Sequence, residues 1–366
     1  MRAGSKLALS LSILHDGCHH ISLDESYLGH SSRMAALPKA GVDNSNLKQE
    51  FPRTSENDLS SVQKLNDLDV DVDIIAVQGL ASTYEWSWSI ESEDGTRYHW
   101  LRELLPQNLQ KPRVLAFEYN SEWYENPAHA TLDDCGKRFL ECLVEDRTHR
   151  GHTHICGGRR NRPILFVGHS FGGLVIKQAL VIASQTHHEE PRYADYRDIL
   201  YATAGVIFLA TPHRGSSFST LAKWKMQAGR LFGVQTYPEL VSILDLGSPS
   251  LTALQQNFQK ILSRSLLADL QLFCFYEELP LAMVVKRESA CIGIGGVQSL
   301  EANHMEMNKF GPSGTNHKNY LLFEAELLEM YNRGKEIVRR RFAGMYSVLV
   351  TLLLCQLPTH YSYAIR

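Results

Sequence analysis

The chain has no pair of cysteines at C-x-x-C spacing: its seven stand at Cys18, Cys135, Cys142, Cys156, Cys274, Cys291 and Cys355. An odd, scattered set argues against a disulfide framework and against a four-thiolate zinc site. It fits reduced thiols in an intracellular compartment. Charge of one sign is lacking too, with a formal net charge of −3. That excludes a general affinity for nucleic acid. No internal repeat is visible.

Long uncharged runs are scarce. Leu7 to Leu14 is apolar but broken by serines, and no small-x-small site follows it before His15-Asp16, so it makes a poor signal peptide. Phe342 to Leu357 gives 16 residues without a charge behind Arg339-Arg340-Arg341. As a helix it would span roughly 24 Å, short of a hydrocarbon core of about 30 Å. It is a candidate tail anchor for membrane association with its basic flank in the cytosol. A buried terminal helix or a docking segment is the other reading. The expected location is cytoplasmic or membrane-associated.

What is present is enough apolar material for one large domain: 366 residues, 44% of them hydrophobic. Residues 1–69 are rich in Ser, Asp, Asn and His without lasting periodicity, and read as a disordered tail. From Val70 a regular grammar begins. Ile74–Val77, Val114–Phe117, Ile164–Val167, Gly205–Leu209 and Leu272–Tyr276 are short apolar runs that read as buried strands. Between them, residues 128–145 and 172–184 carry apolar positions at helical spacing. A mostly helical insertion is expected at about 216–268. Continuous apolar strands alternating with helices predict an α/β fold, its mostly parallel sheet covered by helices on both faces. Residues 70–335 form this domain, and 336–366 a basic-then-apolar tail. Functional groups should gather at the carboxyl ends of the strands.

Gly168-His169-Ser170-Phe171-Gly172 stands at such an end, between a strand and a helix. G-x-S-x-G in that context is a nucleophile elbow, which lifts the serine hydroxyl clear of the sheet. Glycines leave room where a Cβ would collide with neighbouring elements. The following helix points its unsatisfied N–H groups at the site, which makes the Phe171 N–H one oxyanion donor. A P-loop lysine and dinucleotide spacing are both missing. In this architecture the acid and then the base follow the serine along the chain. His304 is favoured as base over His317, which lies farther on, and over His213, which comes too early and should pack under the rim. The acid is left between Glu277, which ends the fifth strand, and Glu288, which stands nearer His304 and is slightly favoured. Glu278 should face solvent. Leu80, after Gln78-Gly79, is the candidate for the second oxyanion N–H.

Other clusters carry less. His149, His152, His154 and Cys156 share an arginine- and glycine-rich loop with no helix to fix their directions. A solvated loop is expected there, with no metal and no other cofactor. Trp86, Trp88, Trp100 and Trp123 either line an acyl pocket or pack in core and rim.

Taken in order, Val72-Asp73-Ile74-Ile75-Ala76-Val77, Trp100-Leu101-Arg102, the run from Gly168 to Leu180, Thr211-Pro212-His213-Arg214-Gly215-Ser216, Phe275-Tyr276-Glu277, Glu288-Ser289-Ala290 and Ala302-Asn303-His304 form a familiar set. Over about residues 70–325 it resembles the lipase-like serine-esterase domains of SERAC-type proteins. In fungi such domains often open NOD-like receptor proteins. The resemblance implies an α/β-hydrolase fold, hydrolysis of a lipid or acyl ester, and Ser170 and His304 as catalytic residues. The family's first loop usually reads His-Gly-Leu-Gly-Gly, whereas this chain has Gln78-Gly79-Leu80-Ala81-Ser82, and Ala210 stands where glycine is usual.

Two functions are expected from this reading. The first is a serine hydrolase that cleaves a carboxylic ester through an acyl-enzyme, in the setting of lipid metabolism. The second is a weakly active or inactive hydrolase scaffold serving signalling or interaction, which the altered first loop motivates.

Overall fold

The computed structural model describes residues 60–61, 70–80, 82, 84–91, 95–117, 131–149, 160–186, 190, 192–216, 243–263, 267–279 and 285–356. Its strands are β1 (Ser60–Ser61), β2 (Val72–Val77), β3 (Ser89–Glu91), β4 (Arg97–His99), β5 (Pro112–Phe117), β6 (Ile164–His169), β7 (Thr203–Leu209), β8 (Gln271–Glu277) and β9 (Gly296–Leu300). The helices are α1 (Tyr84–Ser87), α2 (Trp100–Glu103), α3 (Leu105–Asn108), α4 (Leu132–His149), α5 (Phe171–Gln185), α6 (Tyr193–Ala202), α7 (Pro249–Ser263), α8 (Arg287–Ala290) and α9 (Gly314–Gln356).

The main sheet has the order β1-β5-β2-β6-β7-β8-β9, while β3 and β4 form a separate hairpin. Six strands run parallel, and β1 joins β5 antiparallel. The sheet thus includes Ser60–Ser61, inside the stretch expected to be a tail. Every residue of β2, β5, β6 and β7 is buried. That is why these runs are continuously apolar instead of alternating.

The two faces are covered by different helices. A Cβ at Gly205 of β7 would meet Met330 of α9, whereas Phe208, of opposite parity on the same strand, lies against Gly173 of α5. Successive side chains of a strand point to opposite faces, so α5 and α9 sandwich the sheet. This is the α/β-hydrolase arrangement. α5 is buried on most of its circumference, at Phe171, Leu174, Val175, Ile176, Ala179, Leu180 and Val181. Each of these side chains except Ala179 contributes roughly 1.5–3 kcal/mol relative to exposure. A helix apolar nearly all round belongs in a core, and α5 lies between the sheet and α4, α6 and α7.

An ionic lock closes the amino end of the sheet, away from the strand ends where the serine stands. Asp73 of β2 accepts from Arg113 Nε at 2.7 Å, Arg147 Nη1 at 2.5 Å and Arg162 Nη1 at 3.1 Å. Arg113 also donates to Asp146 at 2.7 Å. Burial alone would raise the Asp73 carboxyl, but Arg113, Arg147 and Arg162 outweigh it and bring it to about 2.

The expected boundary at 335/336 falls inside α9, which buries Ile337, Val338 and Phe342 beyond it. Arg341, read as part of a basic flank, is itself buried and donates to Asp269 at 2.6 Å and to the Thr203 carbonyl at 2.6 Å. Among the described residues no helix is long and apolar enough to cross a membrane. The helical insertion is represented by α7; residues 217–242 lie outside the described residues.

Candidate active site

β6 ends at His169, and α5 begins at Phe171. Ser170 between them has φ 52° and ψ −123°. A non-glycine residue at positive φ costs of order 1–3 kcal/mol, held here by its surroundings. The Ser170 N–H donates to Leu209 O at 2.9 Å, which ties the elbow to β7. Gly172 explains the motif's last glycine, because a Cβ there would lie 2.2 Å from Val77 O and 2.4 Å from Gln78 O. The helix can start this close to β2 only without a side chain.

His304, the expected base, comes from the opposite side. β9 pairs with β8, placing Leu300 against Glu277, and Leu279 N–H continues the zipper by donating to Ala302 O at 3.3 Å. This carries His304 to the end of β8. His304 Nε2 lies 2.9 Å from Ser170 Oγ, and His304 Nδ1 lies 2.6 Å from Glu277 Oε1. All three residues are buried. Glu277 Oε1 also accepts from Val285 N–H at 3.1 Å, so the carboxylate is fixed on two sides. The arrangement can hold the imidazole with Nδ1–H toward the acid and Nε2 toward the hydroxyl.

Of the two carboxylates left open by the sequence, Glu277 reaches His304. Glu288, the slightly favoured one, is exposed on α8. Nearness in sequence was a poor guide, because the strand β9 lies between α8 and His304. Glu278 is exposed, as expected. His317 sits on the first turn of α9 stacked on Tyr320, with ring centroids 6.4 Å apart. His213 is buried beneath the rim, its Nδ1 3.3 Å from Lys177 Nζ and its Nε2 3.9 Å from Cys274 Sγ. Burial, with Lys177 beside it, drives this imidazole well below its ordinary value.

The two expected oxyanion donors lie on segments that meet at Ser170. Phe171, next after Ser170, is the first residue of α5. Leu80 follows Gly79, and a Cβ on Gly79 would stand 3.3 Å from Ser170 Cβ. The first loop therefore abuts Ser170.

Several site neighbours carried no signal in the sequence. His169, the x of the motif, is buried, and its Nε2 lies 3.0 Å from His304 O. A carbonyl can only accept, so the ring holds its proton on Nε2. Burial, and then the nearby His304, push the His169 imidazole down to about 3. Asn308 Nδ2 donates to Ser87 O at 2.6 Å, and Lys309 Nζ stands 3.6 Å from the centre of the Trp86 ring. Trp88 and Trp100 are fully buried core residues, with centroids 5.8 Å apart. Trp123 lies outside the described residues, as do His152, His154 and Cys156. Among the described residues no group of three or more His, Cys, Asp or Glu could hold a metal ion.

Residues 76–254 match the family model described as Putative serine esterase (DUF676). The chain is similar to Protein SERAC1 of Bos taurus, 26% identical over an aligned length of 262, with 66% of this chain and 36% of that protein covered. The Homo sapiens protein of the same name is 25% identical over the same length and shares. The match thus spans little more than a third of these relatives. Among solved structures, the mature lipase BlEst2 of Bacillus licheniformis superposes with a TM-score of 0.46 at 15% identity, covering 73% of this chain and 94% of that one. Phospholipase PlaB of Legionella pneumophila, in complex with thio-NAD, gives 0.48 at 14% identity, covering 74% and 62%. Strand order and the strand–turn–helix at Ser170 make the domain an α/β-hydrolase fold, and residues 76–254 are similar to the lipase-like serine esterases.

Proposed function

We propose that this domain hydrolyses a carboxylic ester through an acyl-enzyme. The observation that carries the reading is the buried hydrogen-bonded chain Ser170–His304–Glu277, with distances of 2.9 and 2.6 Å. In the proposed cycle Ser170 Oγ attacks the ester carbonyl and its proton passes to His304 Nε2. The oxygen that gains charge is held by the N–H groups of Leu80 and Phe171. His304 returns the proton to the leaving alkoxide, and the alcohol departs. Water, activated by His304, then attacks the acyl group and regenerates Ser170. Glu277 orients the ring and stabilises the imidazolium formed in each half. The substrate class is a lipid or other acyl ester, as the resemblance implies.

The test is a fluorophosphonate probe together with a panel of esters of graded acyl length. The wild-type chain should be labelled at Ser170 and should turn over at least one ester. Ser170→Ala should take no label and lose about three orders of magnitude or more in rate. A folded protein that takes no label, with turnover equal in both forms, would sink the reading. It would leave an interaction module on a hydrolase scaffold.

A further inference from the structure

The first loop is where this chain departs from the His-Gly-Leu-Gly-Gly it resembles, and the structure gives the substituted residues partners of their own. Gln78 is 1% exposed, directly after β2. Its Nε2 donates to Ser82 O at 2.5 Å, a staple between Gln78 and Ser82. The acceptor is a carbonyl, so only the NH2 end of the amide can make this bond. The Ser82 hydroxyl in turn pairs with the Ser87 hydroxyl. Ser87 O accepts from Asn308 Nδ2 at 2.6 Å, and Asn308 O accepts from Trp100 Nε1 at 2.9 Å. All these side chains are buried. The relay starts in the loop that abuts Ser170 and ends four residues beyond His304.

We propose that Gln78 is a positioning residue for the oxyanion loop: its amide staple to Ser82, carried on through Ser87 to Asn308, fixes where the Leu80 N–H points relative to His304. The inference rests on the esterase reading above. A donor that stabilises a developing oxyanion acts only if it is already in place when the charge appears. A buried side-chain bond across the loop supplies that order. In this role Gln78 acts through the loop backbone. Without the staple the loop would sample other curvatures, and binding of the ground-state ester would suffer less than the transition state.

Gln78→Met keeps length and apolar bulk but removes the donor, and Gln78→His restores a ring N–H. On the ester that wild type turns over best, Gln78→Met should lose about 10- to 100-fold in kcat with KM changed by less than about threefold, below the full loss of an oxyanion donor. A trifluoromethyl ketone, which binds as a hemiketal oxyanion, should weaken by the same factor as kcat/KM falls. Gln78→His should recover both to within about threefold of wild type. Ser82→Ala, which cuts only the hydroxyl pair, should show the same split at about three- to tenfold and serves should Gln78→Met not fold. Wild-type kcat in the folded variants overturns the inference, and so does a lost kcat with unchanged ketone affinity. If wild type neither turns over any ester nor takes the fluorophosphonate, the esterase reading fails and takes this inference with it. Active wild type with unaffected variants removes this inference alone.

Discussion

Glu277 Oε1 lies 2.6 Å from His304 Nδ1 and accepts a second hydrogen bond from the Val285 N–H. A carboxylate held from two directions keeps the ring from turning, and an amide in its place would favour the wrong tautomer. Glu277→Gln is therefore expected to lower kcat by about three to four orders of magnitude with a folded chain and little change in KM. Glu288→Gln, on the exposed face of α8, should stay within about twofold of wild type. Kinetics on the two purified variants decide between the carboxylates. Equal losses would move the acid role away from Glu277.

Ala210 has φ 47°, one of the few non-glycine residues in the left-handed region. Its N–H donates to Phe275 O at 2.8 Å, so the conformation is pinned where β7 leaves the sheet. A Cβ at this φ costs about 1 kcal/mol or more, which is the physical reason a glycine is usual here. Ala210→Gly should stabilise the fold by about 0.5–1 kcal/mol after the added chain entropy of glycine is counted. Urea denaturation of the two forms is the check, and a lower midpoint with unchanged slope would contradict it.

How far the sequence could be read follows from where its side chains are used. β2, β5, β6, β7 and β8 announce themselves because both faces are buried and every position is apolar or packed. β9 does not, because Gly296-Val297-Gln298-Ser299-Leu300 is an edge strand that buries only Leu300. Missing β9 meant missing the element that carries His304 to Glu277, and so the acid stayed open. Ser170 was legible because a strained turn demands glycines at fixed spacing, a local constraint. The bonds of His169, Gln78 and Asn308 link residues brought together only by tertiary folding, for which spacing carries no signal.

Asp73 is a charged residue in the middle of an apolar run, and three arginines explain it. Removing the carboxylate charge would leave Arg113, Arg147 and Arg162 crowded in a buried place with one acceptor fewer. Breaking a buried ionic cluster in this way costs about 3–5 kcal/mol. Asp73→Asn is expected to lower stability by that amount while leaving the Ser170 site, at the other end of the strands, chemically intact. Calorimetry reports the first part. Fluorophosphonate labelling of the folded fraction reports the second, and an unaltered melting temperature would refute the lock.

Three buried histidines set the acid limit of the fold. Burial, then Arg102, lowers His99 to about 4; burial, then His304, lowers His169 to about 3; and burial, then Lys177, takes His213 well below 6.5. In each case the folded value is depressed, so the unfolded chain takes up the proton first. Their stabilising contribution is complete above the unfolded value of about 6.5 and is lost as pH falls toward the folded values. While one of these histidines is protonated in the unfolded chain and neutral in the folded one, it contributes a slope of up to about 1.4 kcal/mol per pH unit. Denaturation at pH 7.5, 6 and 5 should show stability flat at first and then falling steeply. His169→Gln should make that fall shallower, because one fewer group protonates on unfolding. A slope unchanged by that substitution would mean that His169 is already protonated in the folded chain, which its hydrogen bond to the His304 carbonyl alone would not prevent.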